Sequence, residues 1–376
     1  MPVRIRKWPP QVGAASVPAD RQGRKIRGMP QTREQFSAEE LAIVLSNYDL
    51  GIVAGITEFP KGSHAAAKMV VTTTTGKYLL KRRPKGEVDP YRVAFAHSLQ
   101  RFLASKNFPL PHLIGTRGEN NSMLKWGNSI YEVFEFIEGQ PYDGGLVATY
   151  EAGKVLGLYH RLVLDYQPTW DPPHGHYHDS KSVYVSLKPL GEALLRRSSA
   201  QGRRAELIEV LKRLRGAYAA AAQAANALGL PQWDTQIVHS DWHPGNMLFE
   251  NGHVVAVIDY DAARIQPRVM DVANGCTQFS FVAGGRDLST WEARTDHMRV
   301  RRFLRGYDEM NILTKAELRA IPFLMQEVLI AQAIPPIIRT GTFAGLDGFE
   351  FLKIVLRKVD WISENLNQLD IGDEDD

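Results

Sequence analysis

The 376-residue chain contains a single cysteine, Cys276. One cysteine excludes an internal disulfide and a metal site built from cysteine ligands. Long hydrophobic runs are also absent, since no apolar stretch reaches the roughly 18 residues that a membrane span requires. The N-terminal segment is positively charged but lacks the apolar stretch of a secretory signal. These absences predict a cytoplasmic protein without a membrane partner.

A strong overall charge is missing as well, because the formal net charge is only +3. Residues 1–36 hold eight Lys or Arg and two acids, which leaves the other 340 residues with a net charge of −3. A mildly acidic body argues against nucleic acid as a partner. The basic segment 1–36 lacks hydrophobic periodicity and is predicted to be a disordered arm, and the acidic segment 370–376 a solvated tail.

The remaining chain changes character near Gly139. Between residues 37 and 139, alternating and β-branched runs predict strands, with one helix over 89–106. Between residues 140 and 369 the apolar spacing is mostly helical, apart from a turn at Asn251-Gly252 followed by a buried strand, Val254–Ile258. The sequence therefore predicts an α+β protein with a small β-rich N-lobe of one helix and a larger, mostly helical C-lobe.

The stretch HSDWHPGNMLF, residues 239–249, concentrates polar side chains that folding alone does not require. Asp241 and Asn246 are five residues apart, and the Pro-Gly pair between them forces a turn. The buried strand that follows delivers Asp259 at its end, eighteen residues after Asp241. Two carboxylates and an amide are thus expected on adjacent loops.

Phosphoryl transfer needs such a set of groups. A carboxylate must orient the attacking hydroxyl and accept its proton, while positioning and charge neutralisation supply most of the rate. Carboxylate and amide oxygens are also the ligands that Mg²⁺ prefers. We therefore predict that Asp241 is the catalytic base and that Asn246 and Asp259 hold Mg²⁺ at the phosphates of a nucleotide.

The motif HSDWHPGN followed by IDYD resembles the catalytic segment of the aminoglycoside phosphotransferase family, small-molecule kinases with a protein-kinase-like fold. The resemblance covers roughly residues 40–365. It implies a bilobal protein-kinase-like fold, ATP as the phosphate donor and a small-molecule hydroxyl as the acceptor. The acceptor could be an amino alcohol, a sugar or an aminoglycoside, and the oligomeric state is not predicted.

The same resemblance implies the residues that bind the nucleotide. TGKYLLKRR resembles the strand whose lysine contacts the phosphates, which would be Lys81, with Arg82 as a near-equivalent candidate. VFEFIEG resembles the hinge strand that faces adenine, through backbone groups of Glu135 and Ile137. KGSHAA resembles the loop over the phosphates, with backbone N–H groups of Gly62, Ser63, His64 and Ala65.

Two further positions follow from the comparison with this family. Asp271, in RVMDVANG, matches a recurrent aspartate that we interpret as structural. In this family the helix that corresponds to residues 89–106 usually carries a glutamate that pairs with the strand lysine. Residues 89–106 contain no glutamate, so His97 or Gln100 is the expected partner of Lys81.

Other functions remain open at this point. His239, Asp241 and His243 form an H-x-D-x-H string that a metal-dependent hydrolase could use, although this would leave Asn246 and Asp259 unexplained. A kinase fold that only binds its ligand is a third possibility. The HGHYH loop, with His174, His176 and His178, could bind a metal but more simply predicts a polar loop.

Overall fold

A computed structural model describes residues 35–59, 66–83, 89–284 and 287–369. The predicted phosphate loop, with Gly62, Ser63, His64 and Ala65, lies outside these residues, as do residues 1–34 and the acidic tail. The described chain divides into two compact units. The first comprises the residues up to Glu138 together with Gln167–Asp171, and the second comprises Gly139–Tyr166 and the residues from Pro172 onward.

The first unit is built on a six-stranded antiparallel sheet. The strand order is β1-β2-β3-β6-β4, and β5 pairs with β6. The strands are β1 (Val53–Glu58), β2 (Ala67–Thr73), β3 (Lys77–Arg82), β4 (Leu113–Ile114), β5 (Leu124–Trp126) and β6 (Ser129–Glu135). The predicted strands are therefore present, and residues 74–76 join β2 to β3.

The described residues of the first unit form two helices, α1 (Ala38–Ser46) and α2 (Pro90–Ser105), where the sequence predicts one. The missed helix begins with a capping box, in which Ser37 and Glu40 bond each other's backbone N–H groups. This serine-to-glutamate spacing was readable in the sequence. Because α1 has only nine residues, it offers little periodicity for a pattern-based prediction.

Phe36, the last residue of the predicted N-terminal arm, lies in the folded unit instead. Phe36 packs against the core cluster that contains Val44, Tyr48 and Tyr131. The Arg82 guanidinium lies 4.7 Å from the centre of the Phe36 ring. Phe36 is therefore part of the folded unit, held by apolar and cation–π contacts.

The second unit is mostly helical. Its helices are α3 (Leu146–Leu162), α4 (Lys181–Arg197), α5 (Arg204–Ala227), α6 (Arg268–Ser280), α7 (His297–Met310), α8 (Lys315–Thr340), α9 (Gly348–Glu364) and α10 (Leu366–Leu369). Short strand pairs complete it: β7 (Thr235–Val238) with β10 (Arg264–Pro267), β8 (Met247–Glu250) with β9 (His253–Val257), and β11 (Thr342–Phe343) with β12 (Leu346–Asp347). The hairpin predicted at Asn251-Gly252 is confirmed by the β8–β9 pair.

Helices α3 and α7 approach each other through glycines. A Cβ atom at Gly153 would lie 1.9 Å from the Phe303 carbonyl oxygen, and one at Gly306 would lie 2.0 Å from the Tyr150 carbonyl oxygen. Neither position can carry a larger side chain without moving a helix backbone. This close packing fixes α3, whose Ala152 carbonyl accepts a hydrogen bond from the buried Trp242 indole of the 239–246 loop.

Helix α8 is long and apolar enough to cross a membrane, and no other helix in the described part of the chain passes that test. However, 67% of its most apolar window is buried inside the protein, as in the core helix of a globular domain. Its Glu327 also contacts His178 of the HGHYH loop. The helix is therefore weak evidence for a membrane span.

Candidate active site

The loop 239–246 connects β7 to the β8–β9 hairpin and carries the polar residues singled out in the sequence. Residues 244–246 form a short 3₁₀ turn, consistent with the Pro-Gly pair. The Ile258 N–H donates to the Asn246 carbonyl at 3.0 Å. Because Asp259 follows Ile258 directly, this bond brings Asp259 and Asn246 to the same end of the hairpin.

Asp241 and Asn246 are in direct contact. The Asn246 Nδ2 group donates to Asp241 Oδ2 at 2.8 Å and to the Asp241 carbonyl at 3.0 Å. Among the described residues no donor reaches Asp241 Oδ1, so that oxygen is the one open to a further partner. The side chain of Asp241 is 38% exposed.

The surroundings of Asp241 favour its ionised form. Burial pushes the pKa of this carboxyl up, but contacts from His243, His239 and Asn246 outweigh it and lower the pKa below its usual value. An ionised carboxylate with one open oxygen can accept a hydrogen bond from a hydroxyl group.

Asn246 and Asp259 present oxygens suited to a hard cation. Within the described part of the chain, the Asn246 Nδ2 group donates to Asp241 only, so Asn246 Oδ1 is the atom of this amide that can bind a metal. Asp259 is exposed and has left-handed backbone angles, φ 67° and ψ 68°. Such angles are sparsely populated except by Gly, Asn and Asp, and they often mark functional positions. An amide oxygen and a carboxylate fit Mg²⁺ by their chemistry.

Asp271 anchors the start of this loop. Its Oδ2 accepts from the His239 N–H at 2.7 Å, and its Oδ1 accepts from the Ser240 N–H at 2.8 Å. His160 Nε2 of α3 lies 3.4 Å from the same carboxylate. Ser240 has a φ of 65°, so the two bonds stabilise a left-handed residue directly before Asp241. The structural interpretation of Asp271 agrees with these two hydrogen bonds, which α6 makes from its first turn, whereas the N-cap of this helix is Pro267.

We expect the Asp271→Asn substitution to lower the free energy of unfolding by about 1–3 kcal/mol, the cost of leaving a buried donor without an acceptor. An asparagine offers one oxygen and one NH₂ group, so one of the two backbone N–H groups would face another donor. Urea titration of both proteins measures the change, with Asp165→Asn, at an exposed aspartate, as the control. Unchanged stability of the Asp271 variant would show that the carboxylate does not hold the loop.

In the first unit, Lys81 is paired with a residue that sequence reasoning missed. Its Nζ lies 3.8 Å from Oε2 of Glu132, which is directly opposite Lys81 on β6. The expected partners were His97 and Gln100, but His97 instead contacts Glu132 and Gln100 bonds the Ala96 carbonyl. Both predicted pairings are therefore wrong.

Arg82 is not an equivalent of Lys81. Successive strand residues point to opposite faces of a sheet, so the two side chains diverge. Arg82 is buried against Glu40 of α1, with Nη1 2.7 Å and 2.8 Å from the two carboxylate oxygens. Its charge stabilises the packing of α1 on the sheet, where the hydroxyl of Tyr131 also donates to Glu40.

The two predicted adenine-facing residues lie at the end of β6. The Glu135 N–H donates to the His112 carbonyl at 2.8 Å, which leaves the Glu135 carbonyl as the candidate for a nucleotide contact. Ile137 follows the strand and is half-buried.

The histidines do not form the metal site that a hydrolase would need. His239 is fully buried, and its ring nitrogens contact the Ile258 carbonyl and the Asp241 N–H. His243 Nδ1 accepts from the Gly245 N–H. His178 lies buried between Glu327 and Asn226, which gives it a structural role. Within the described ranges, no group of three His, Cys, Asp or Glu residues could hold a metal ion.

Residues 55–320 match the phosphotransferase enzyme family, and the chain belongs to this family. Among curated proteins it is similar to the homoserine kinase of Granulibacter bethesdensis, at 25% identity over 315 residues, or 80% of this chain and 86% of that protein. The homoserine kinase of Rhodospirillum rubrum is 26% identical over 292 residues, or 77% and 81% of the two chains.

Solved structures show the same fold. An aminoglycoside phosphotransferase from Alicyclobacillus acidocaldarius matches with a TM-score of 0.63 and 18% identity, over 90% of this chain and 97% of that one. A spectinomycin phosphotransferase in complex with ADP and spectinomycin matches with a TM-score of 0.61 and 16% identity, over 89% and 100%. The predicted α+β, bilobal, protein-kinase-like fold is confirmed by these matches.

Proposed function

We propose that this protein transfers the γ-phosphate of ATP to a hydroxyl group of a small molecule, with homoserine as the first candidate acceptor. The observation that carries the proposal is the contact between Asp241 and Asn246, which leaves one oxygen of each side chain open, with Asp259 at the same end of the hairpin as Asn246. Homoserine comes first because the curated relatives that resemble the chain over most of its length are homoserine kinases. The solved structures support the fold and not the acceptor.

In the proposed reaction, Asp241 Oδ1 accepts a hydrogen bond from the hydroxyl of the acceptor. This bond orients the hydroxyl oxygen toward the γ-phosphorus. The new O–P bond forms as the bond between the γ-phosphorus and its bridging oxygen breaks, and ADP leaves with that electron pair. The hydroxyl proton passes to Asp241. The carboxylate needs no raised pKa for this role, since orientation and late proton uptake require only the ionised form.

Asn246 Oδ1 and the Asp259 carboxylate are the groups that would hold Mg²⁺, and Lys81 would contact the phosphates of the nucleotide. When bound, Mg²⁺ neutralises charge on the phosphate oxygens. The chain itself orients this site: the Ile258–Asn246 backbone bond fixes the relative position of the two ligands, and Asp271 fixes the loop that carries Asp241.

A transfer assay tests the proposal. The full chain is incubated with Mg²⁺ and γ-labelled ATP, and with homoserine, ethanolamine, a sugar or an aminoglycoside as the acceptor. We expect labelled phosphate on homoserine, at a rate above that of the Asp241→Asn protein. Labelling of another acceptor in preference to homoserine would reject the first candidate. Labelling of none, with no Mg–ATP binding, would reject the kinase function itself.

A further inference from the structure

A buried cluster of charges surrounds Glu132 in the first unit. Glu132 lies in the middle of β6 and is fully buried. Three basic or ionisable residues converge on it: Lys81 from β3, Arg83 directly after β3, and His97 from α2. A carboxylate is seldom buried completely unless basic side chains balance its charge.

The two oxygens of Glu132 have different surroundings. Oε1 accepts from Arg83 Nη2 at 2.7 Å and contacts His97 Nε2 at 2.5 Å. Oε2 is buried without a hydrogen-bond donor in the described part of the chain, and Lys81 Nζ lies 3.8 Å away from it. His97 is held in turn by Ser122, whose hydroxyl lies 2.8 Å from Nδ1. Glu132 is therefore fixed through one oxygen, and its other oxygen faces the lysine.

Glu132 is negatively charged in this setting. Burial raises the pKa of its carboxyl, but the charges of Arg83 and Lys81 and the contact with His97 hold the pKa well below its usual range. Lys81 is also the least buried of the cationic partners, with 18% of its side chain exposed against 9% for Arg83. Lys81 can therefore reach a ligand while its ammonium group stays near Glu132.

We propose that Glu132 positions Lys81 for the nucleotide phosphates, so that a strand residue performs the orienting role for which α2 has no glutamate. The inference rests on the proposed function, because it assumes that Lys81 contacts ATP. His97 gives α2 an indirect part in this arrangement, since it holds the oxygen of Glu132 that does not face the lysine. The competing explanation is purely structural: Glu132 could serve only to neutralise the buried Arg83.

A double-mutant cycle separates the two explanations. Wild type, Glu132→Gln, Lys81→Met and the double variant are compared in the affinity for Mg–ATP and in kcat and KM for ATP. If Glu132 acts through Lys81, each single substitution lowers kcat/KM by roughly ten- to hundredfold, the usual range for a misplaced binding group. The double variant then loses no more than Lys81→Met alone, because the interaction is already gone. Losses that multiply in the double variant would overturn the inference.

Matched variants guard against loss of folding. Asp49→Asn removes the carboxylate of an exposed pair with Arg117 in the same unit, at 3.6 Å, and we expect it to keep wild-type kcat/KM. Thermal unfolding shows whether each protein is folded at the assay temperature. If Glu132→Gln is not folded, the cycle is run with Glu132→Asp, which keeps the charge that Arg83 needs but draws it back from Lys81. An active wild type with multiplying losses rejects only this inference, whereas a wild type that does not bind Mg–ATP rejects the proposed function and the inference with it.

Discussion

The Asp241→Asn protein is expected to lose roughly two to four orders of magnitude in turnover, the usual contribution of a positioned base, and to keep its affinity for Mg–ATP within a few-fold. Asparagine has the same shape, and its amide oxygen can still accept from Asn246 Nδ2, which is 2.8 Å from Asp241 Oδ2 in the wild type. The loop geometry should therefore survive. What is lost is the negative charge that orients the hydroxyl and takes its proton.

Steady-state kinetics with the best acceptor and calorimetric titration of Mg–ATP measure the two quantities separately. Asp234→Asn is the matched control, because Asp234 is an exposed aspartate just before β7, in the segment that leads to the same loop. Turnover within about tenfold of wild type in the Asp241 variant would contradict the assignment of the base, since positioned bases contribute more than this. A wild type that carries stoichiometric zinc, lost in the Asp241 variant, would instead favour the hydrolase.

The Asp259→Asn substitution should have the second large effect, and it should weaken the binding of Mg–ATP as well as lower turnover. We expect Mg–ATP to bind roughly ten- to a hundredfold more weakly, the usual range for disturbing a metal site, and turnover to fall by at least about as much. Asparagine is chosen because it tolerates the left-handed backbone of residue 259, with φ 67°, so that the loss reports the charge and not strain.

Calorimetry with ATP alone and with Mg–ATP distinguishes a metal ligand from a general electrostatic effect. The difference between the two titrations should shrink in the Asp259 variant, because the missing carboxylate no longer favours the metal complex. Glu250→Gln, at the exposed end of β8 in the same hairpin, should behave like wild type. Equal Mg–ATP affinity in the Asp259 variant and the wild type would remove Asp259 from the proposed metal site.

Local sequence was sufficient to place the loop 239–246 and the hairpin after it. A Pro-Gly pair, an Asn-Gly turn and a short buried run each specify backbone geometry within a few residues. The 3₁₀ turn at Pro244–Asn246 is a consequence of this kind. The proximity of Asp241 to Asn246 follows from the same short-range constraints, and for that reason the amino-acid sequence alone predicts it.

The partner of Lys81 could not be found in this way. Glu132 is 51 residues further along the chain and becomes its neighbour only because β3 and β6 pair in a register that sets these two residues opposite each other. Strand register depends on the packing of whole strands, and a shift by one residue would turn every side chain to the other face. His97 was assigned to the right region but to the wrong contact, since it reaches Glu132 and not the lysine.

The sequence by itself determined the division into a β-rich and a helical part and the position of the polar loop 239–246. It also indicated phosphoryl transfer as the chemistry for which these side chains are suited. These features depend on periodicity, turns and side-chain type. Only the tertiary structure decided that Arg82 belongs to Glu40, that His178 is buried beside Glu327, and that a strand glutamate faces Lys81. Each of these pairs joins residues more than 40 positions apart. These ion pairs form only because tertiary packing brings distant segments together, and local sequence patterns cannot predict them.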